Sequence, residues 1–102
     1  MISFMDSFFF RINFIDSFMF SVYVIYSQDF KKVYIGFTSD LEKRLIAHNH
    51  PSNKGWTKKF QPWVLIYEEK FEMKSEAMTR EKQLKTAKGM EFIHNSFVDK
   101  SL

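Results

Sequence analysis

Three apolar runs stand out along the chain, separated by mixed or polar segments. Ser21–Tyr26 reads Ser-Val-Tyr-Val-Ile-Tyr, and Val33–Phe37 reads Val-Tyr-Ile-Gly-Phe. β-Branched and aromatic residues at this density predict strands. The polar stretch Ser27–Lys32 between them is too short for a crossover, so the two runs form an antiparallel hairpin. Neither run alternates cleanly, which predicts a sheet covered on both faces. In Ser39-Asp40-Leu41-Glu42 a Ser precedes a Glu by three residues, the spacing of a capping box. It opens a helix from Asp40 to about Asn49, ended by Pro51. Trp63–Tyr67 is a third strand, running on toward Phe71. Ser75 caps a second helix, Glu76 to about Lys88, with Gly89 at C′, and a short helical turn follows at Met90–Phe97. The order β-β-α-β-α(-α) predicts an α+β domain: a three-stranded, mainly antiparallel sheet flanked by helices.

Composition narrows the chemistry. The 102 residues fit one domain, and 45% hydrophobic residues are enough for a core. There is no cysteine, which removes disulfides, thiolate metal sites and a thiol nucleophile together and fits a reducing, cytoplasmic setting. The net charge of +3 permits nucleic-acid binding without indicating it. Seven of the thirteen Phe fall before Ser21. Residues 1–19 are therefore expected to lie outside the core domain of residues 20–97, with residues 98–102 as a tail. Charges at Asp6, Arg11 and Asp16 break every apolar run there, which argues against a transmembrane helix. Two readings stay open: an extension upstream of a start at Met19, or an amphipathic segment that docks on a partner or a membrane surface.

Several polar groups share faces with apolar ones. An in-register hairpin brings Tyr23 and Tyr34 to one side, and Gly36 beside them leaves room for a ligand near the backbone. On pattern alone, two such tyrosines are more often ordinary core aromatics with their hydroxyls at the rim. Arg44 and His48 lie one turn apart beside the Leu41/Leu45 stripe, where Arg can also simply snorkel to water. Glu81 projects with Ala77, Met78, Leu84 and Lys85, and a carboxylate on such a stripe needs a partner, either an Arg in a structural ion pair or a metal ion. Lys54-Gly55-Trp56-Thr57-Lys58-Lys59-Phe60 interleaves Lys with aromatics, suited to phosphate attraction and base stacking. Trp56 could instead plug the core beneath the loop.

Taken together, Ser21-Val22-Tyr23, then Tyr34-Ile35-Gly36 ten residues on, Arg44 in a helix and Glu81 in a later one resemble the GIY-YIG nuclease superfamily. Tyr34–Asn49 and Lys74–Lys82 are similar to its small standalone bacterial members, relatives of the N-terminal nuclease domain found in excision-repair nucleases. The resemblance implies a metal-dependent endonuclease acting on DNA, directed by substrate structure as in repair or recombination, with Mg²⁺ or Mn²⁺ as cofactor. It implies catalytic roles for Tyr23, Tyr34, Arg44, His48 and Glu81, with Glu81 also the metal ligand; it does not fix which tyrosine is the general base, and we assign that role to Tyr23. Gly36, Lys32, Lys54, Trp56, Lys58 and Lys59 are the accompanying nucleic-acid-binding candidates. Three positions depart from the pattern: Ser21 replaces the first Gly, Phe37 stands where some relatives have Lys, and Asn95 is the sole candidate for a later Asn. The alternative is a binding or adaptor module that keeps the fold without the chemistry.

Overall fold

The computed structural model describes residues 19–99. Strand β1 (Phe20–Ser27) turns through Gln28–Lys31 into β2 (Lys32–Thr38), and helix α1 (Leu41–Asn49) follows. A 3-10 turn (Trp56–Phe60) leads to β3 (Val64–Phe71), then helices α2 (Lys74–Leu84) and α3 (Ala87–Ile93) and a wide terminal turn (His94–Val98). The sheet order is β2-β1-β3 with both pairings antiparallel. This is the expected α+β domain, a three-stranded antiparallel sheet flanked by three helices.

The lack of alternation in β1 has the expected cause, because each face of the strand meets its own core. Val22 and Val24 pack with Ile35, Ala77, Leu84, Ile93 and Val98 on the α2/α3 side. Tyr23 and Ile25 pack with Trp63 on the other side, where Leu41 and Leu45 bring in α1. Hairpin register places Tyr23 opposite Gly36 and Ile25 opposite Tyr34, so both tyrosines share the α1 face.

The helix ends differ from expectation in three places. Asp40, not Ser39, caps α1, its carboxylate accepting from the Lys43 N–H at 3.1 Å. An ionised acceptor is the stronger cap at the positive end of a helix. Ser75 lies inside the first turn of α2, which starts at Lys74 behind Met73 with no side-chain cap. The single long helix expected to reach Lys88 is instead two. The Thr86 hydroxyl donates to the Gln83 carbonyl at 2.6 Å and accepts from the Gly89 N–H at 3.1 Å, closing α2 and capping α3 at once. Gly89 thus sits inside α3, where a Cβ would run into the carbonyl groups of Gln83 and Leu84. It permits a close junction between two helices and does not end one.

Candidate active site

The site is built around Tyr23, in the middle of the central strand and 1% exposed. Its hydroxyl lies 2.8 Å from Nε2 of His48. His48 projects inward from α1 and is itself buried, while Arg44, one turn earlier, stays exposed. The Tyr34 ring completes the group, with its centroid 4.8 Å from His48 and 6.2 Å from Tyr23. A cleft of about 290 Å³ opens among Tyr34, Arg44, His48, Asn53, Trp56 and Thr57. That volume lies at the small end of ligand sites and suits a phosphodiester group better than a base pair.

Charge converges on the Tyr23 phenol from three elements. Burial, the neighbouring Tyr34 and the Glu81 carboxylate push its pKa well above the ordinary tyrosine range, with the Arg44 guanidinium acting against them. Glu81 reaches this neighbourhood from α2 with its side chain 17% exposed, paired to Lys85 Nζ at 2.6 Å. The cation beside this carboxylate is thus Lys85, one turn on along the same helix, and not the expected Arg. Among the described residues no three of His, Cys, Asp and Glu gather to hold an ion. One carboxylate fits Mg²⁺, which binds through one or two carboxylates and keeps several waters.

The Gly at position 36 has a steric reason. A Cβ there would lie 2.7 Å from the Tyr23 hydroxyl oxygen and 2.8 Å from its ring carbon. Ser21, where the pattern has Gly, is accommodated differently, its hydroxyl donating to Glu68 Oε2 on β3 at 2.7 Å.

The basic and aromatic candidates are split. Trp56 is 51% exposed and stacks on Tyr34 at 6.4 Å, so it forms an open wall of the cleft and does not plug the core. Trp63 is the buried indole. Lys32 sits over the Phe60 ring at 5.6 Å, and Arg44 is the cation that acts on Tyr23. Lys58 donates to the Pro51 carbonyl at 2.6 Å, while Lys54 and Lys59 are exposed beside it. The sequence pattern did not single out Asn53, Thr57 and Gln61. The His48 Nδ1 lies 3.0 Å from the Thr57 hydroxyl, and the amides of Asn53 and Gln61 both donate to the His48 carbonyl. Only their placement shortly after the Arg44-His48 helix, in a polar loop, hinted at them.

The buried His48 makes a stability prediction. Burial first, and Arg44 second, lower its pKa from the ordinary value of 6.5. The unfolded chain takes up that proton near 6.5 while the folded chain resists it, so the folded state is favoured most above this pH and loses that advantage as pH falls below it. Tm should therefore decline on acidification from about pH 7.5 to about pH 5, and His48→Gln should flatten that slope. A slope unchanged in the variant, measured by thermal denaturation across this range, would assign the effect elsewhere.

A small antiparallel sheet that carries a buried tyrosine–histidine pair, an arginine one helical turn away and a glutamate from a second helix is a fold of nuclease type. The chain belongs to the GIY-YIG family, whose catalytic domain matches residues 19–92. It is 40% identical over 65 residues to the UPF0213 protein SSP2268 of Staphylococcus saprophyticus, covering 64% of this chain and 78% of that protein. It is 42% identical, with the same coverage, to the UPF0213 protein SH2523 of Staphylococcus haemolyticus. The solution NMR structure of the UPF0213 protein BH0048 from Bacillus halodurans aligns with a TM-score of 0.47 at 25% identity, over 76% of this chain and 83% of that one. Among the described residues no helix is long and apolar enough to cross a membrane.

Proposed function

We propose that this chain is a metal-dependent endonuclease that hydrolyses phosphodiester bonds in DNA, directed by the structure of the substrate and not by a long sequence. The observation that carries the reading is the Tyr23 hydroxyl held 2.8 Å from His48, with Arg44 and Glu81 both acting on it beside the cleft.

Hydrolysis needs an acceptor for the proton of the attacking water and compensation for charge on the non-bridging oxygens. Arg44, exposed at the cleft, has the fork geometry to donate two parallel bonds to one phosphate, which a Lys lacks. Tyr23 is the base in its ionised form: water adds to phosphorus, a phosphorus–oxygen bond breaks, and the water proton goes to the phenolate oxygen. Because burial holds the phenol protonated, its ionised fraction, and with it the rate, should climb with pH on the alkaline side. Tyr34 borders the same space and orients the water. Glu81 is the residue to hold Mg²⁺ or Mn²⁺, which when bound supplies charge neutralisation at the phosphoryl and leaving oxygens. Trp56 and the exposed lysines offer stacking and phosphate attraction at the rim. With few elements left to read base edges, discrimination falls to branches, ends or damage.

The test is cleavage by the full chain of labelled single-stranded, duplex, flap, fork and RNA molecules, with Mg²⁺, with Mn²⁺ and with EDTA. The expected result is metal-dependent cutting of a subset of DNA structures, reduced by about 100-fold or more in Glu81→Ala, on the order of the loss of a group that acts on the transition state. Salt-sensitive binding without cutting, unchanged in Glu81→Ala, would instead make the chain a binding module that keeps the fold.

A further inference from the structure

Asn53 and Thr57 take no part in the mechanism above, yet both reach the far side of His48. The two ends of the Asn53 amide face groups of fixed polarity. Its oxygen accepts from the Gly55 backbone N–H at 2.8 Å, and its nitrogen donates to the His48 carbonyl at 3.1 Å. A backbone N–H only donates and a carbonyl only accepts, so the amide has one orientation. Its second hydrogen is then donated to Thr57 Oγ1 at 2.8 Å.

Thr57 is 4% exposed. Its hydroxyl carries one proton and already accepts from Asn53. Its oxygen keeps a second lone pair, but among the described residues its one proton meets no acceptor other than His48 Nδ1 at 3.0 Å, so the hydroxyl donates there and Nδ1 is the unprotonated nitrogen. In a neutral imidazole the ring proton is then on Nε2. That atom faces the Tyr23 oxygen at 2.8 Å. We propose that Asn53 and Thr57 are positioning residues that fix His48 as the Nε2–H tautomer, so that His48 donates to the Tyr23 oxygen and does not accept from it.

The inference deepens the nuclease reading and rests on it for its catalytic meaning. Asn53, Thr57, His48 and Tyr23 form one chain of bonds in which every donor points the same way, each polarising the next. The Tyr23 proton therefore cannot pass to His48 and faces Tyr34, which is hydrogen-bonded to the phenol and lines the cleft. The phenolate, which burial disfavours, gains a donor at its back. Other charged or titratable groups face Tyr23 as well: Tyr34 from β2, Arg44 from α1 and Glu81 from α2. Of these groups and His48, only His48 has its polarity fixed by a buried chain that ends on backbone groups.

The test is nitrogen NMR of the full chain labelled with ¹⁵N-histidine, at a pH where His48 is neutral. The chain has three histidines, and comparison with His48→Gln assigns the signals. The wild-type spectrum should show an unprotonated Nδ1 and a protonated Nε2. Thr57→Val keeps the side-chain volume but loses the hydroxyl. It should erase the tautomer preference and lower the rate at a given alkaline pH by about 10–100-fold with KM unchanged. Thr57→Ser should restore both. A proton on Nδ1 in the wild type overturns the proposal, as does a folded Thr57→Val with spectrum and rate unchanged. If Thr57→Val does not fold, the wild-type spectrum alone decides. The expected tautomer in a protein that cuts nothing would sink the nuclease reading and leave this assignment standing; the opposite tautomer in an active nuclease would do the reverse.

Discussion

Tyr23→Phe should lower the turnover of phosphodiester cleavage by about 10²–10⁴-fold with little change in KM, the range expected for a positioned acid–base group that acts in the transition state. The variant keeps the ring that packs with Ile25 and Trp63, so the sheet should survive. It removes only the oxygen that His48 Nε2 meets at 2.8 Å. A ring nitrogen left without a partner in a buried position costs about 1–3 kcal/mol, which chemical denaturation would register. The alkaline rise of the wild-type rate should vanish at the same time, because the group that ionises is gone. Steady-state kinetics on the preferred substrate decide the matter. A Tyr23→Phe rate within a few-fold of wild type, still rising with pH, would remove Tyr23 from the chemistry and pass the role of base to Tyr34.

Gly36→Ala should be damaging out of proportion to one methyl group. The new Cβ would stand 2.7 Å from the Tyr23 hydroxyl and 2.8 Å from the ring carbon that bears it, well inside van der Waals contact. A flexible side chain would swing aside, but Tyr23 is 1% exposed, rigid and tied to His48. Overpacking of this kind typically costs about 1–3 kcal/mol. Activity should fall further than stability, since a displacement of about 1 Å at a reacting group costs on the order of 10²-fold. The diagnostic is a double-mutant cycle. In the Tyr23→Phe background the closest clashing atom is absent, so Gly36→Ala should destabilise by less than it does in the parent. Strictly additive unfolding free energies would mean that the methyl group is accommodated without touching Tyr23.

Much of this arrangement could be read from the chain because it rests on local rules. β-Branched runs gave β1 and β2, a short polar turn gave their hairpin, and alternation within it put Tyr23, Tyr34 and Gly36 on one face. Helical spacing of four did the same for Arg44 and His48. What escaped was decided by competition between near neighbours or by bonds across the loop. Ser39 and Asp40 are both good caps, and the choice fell to the one that is charged. Gly89 follows a helical run, as a terminating glycine would, but Thr86 had already closed α2 three residues earlier. Lys85 stands one turn after Glu81, and sequence alone does not tell an ion pair at that spacing from a carboxylate kept for a metal. Asn53, Thr57 and Gln61 look like ordinary loop residues. Their importance depends on the path that carries the chain from His50 back to Trp63, where Asn49 grips the Trp63 backbone in both directions, at 2.7 and 2.9 Å.

The position of Tyr23 has a further consequence for how the protein moves. It lies on β1, the only strand among the described residues that is hydrogen-bonded along both edges, between two separate apolar clusters. Such a segment exchanges its amide hydrogens only when the whole domain opens, whereas loops and chain ends open locally at far smaller cost. The proposed base therefore belongs to the last part of the molecule to let go, and Arg44 and Trp56 belong to its exposed shell. On the proposed reading, accommodation of differently shaped substrates falls to that shell, around an oxygen that holds its place until the fold itself is lost.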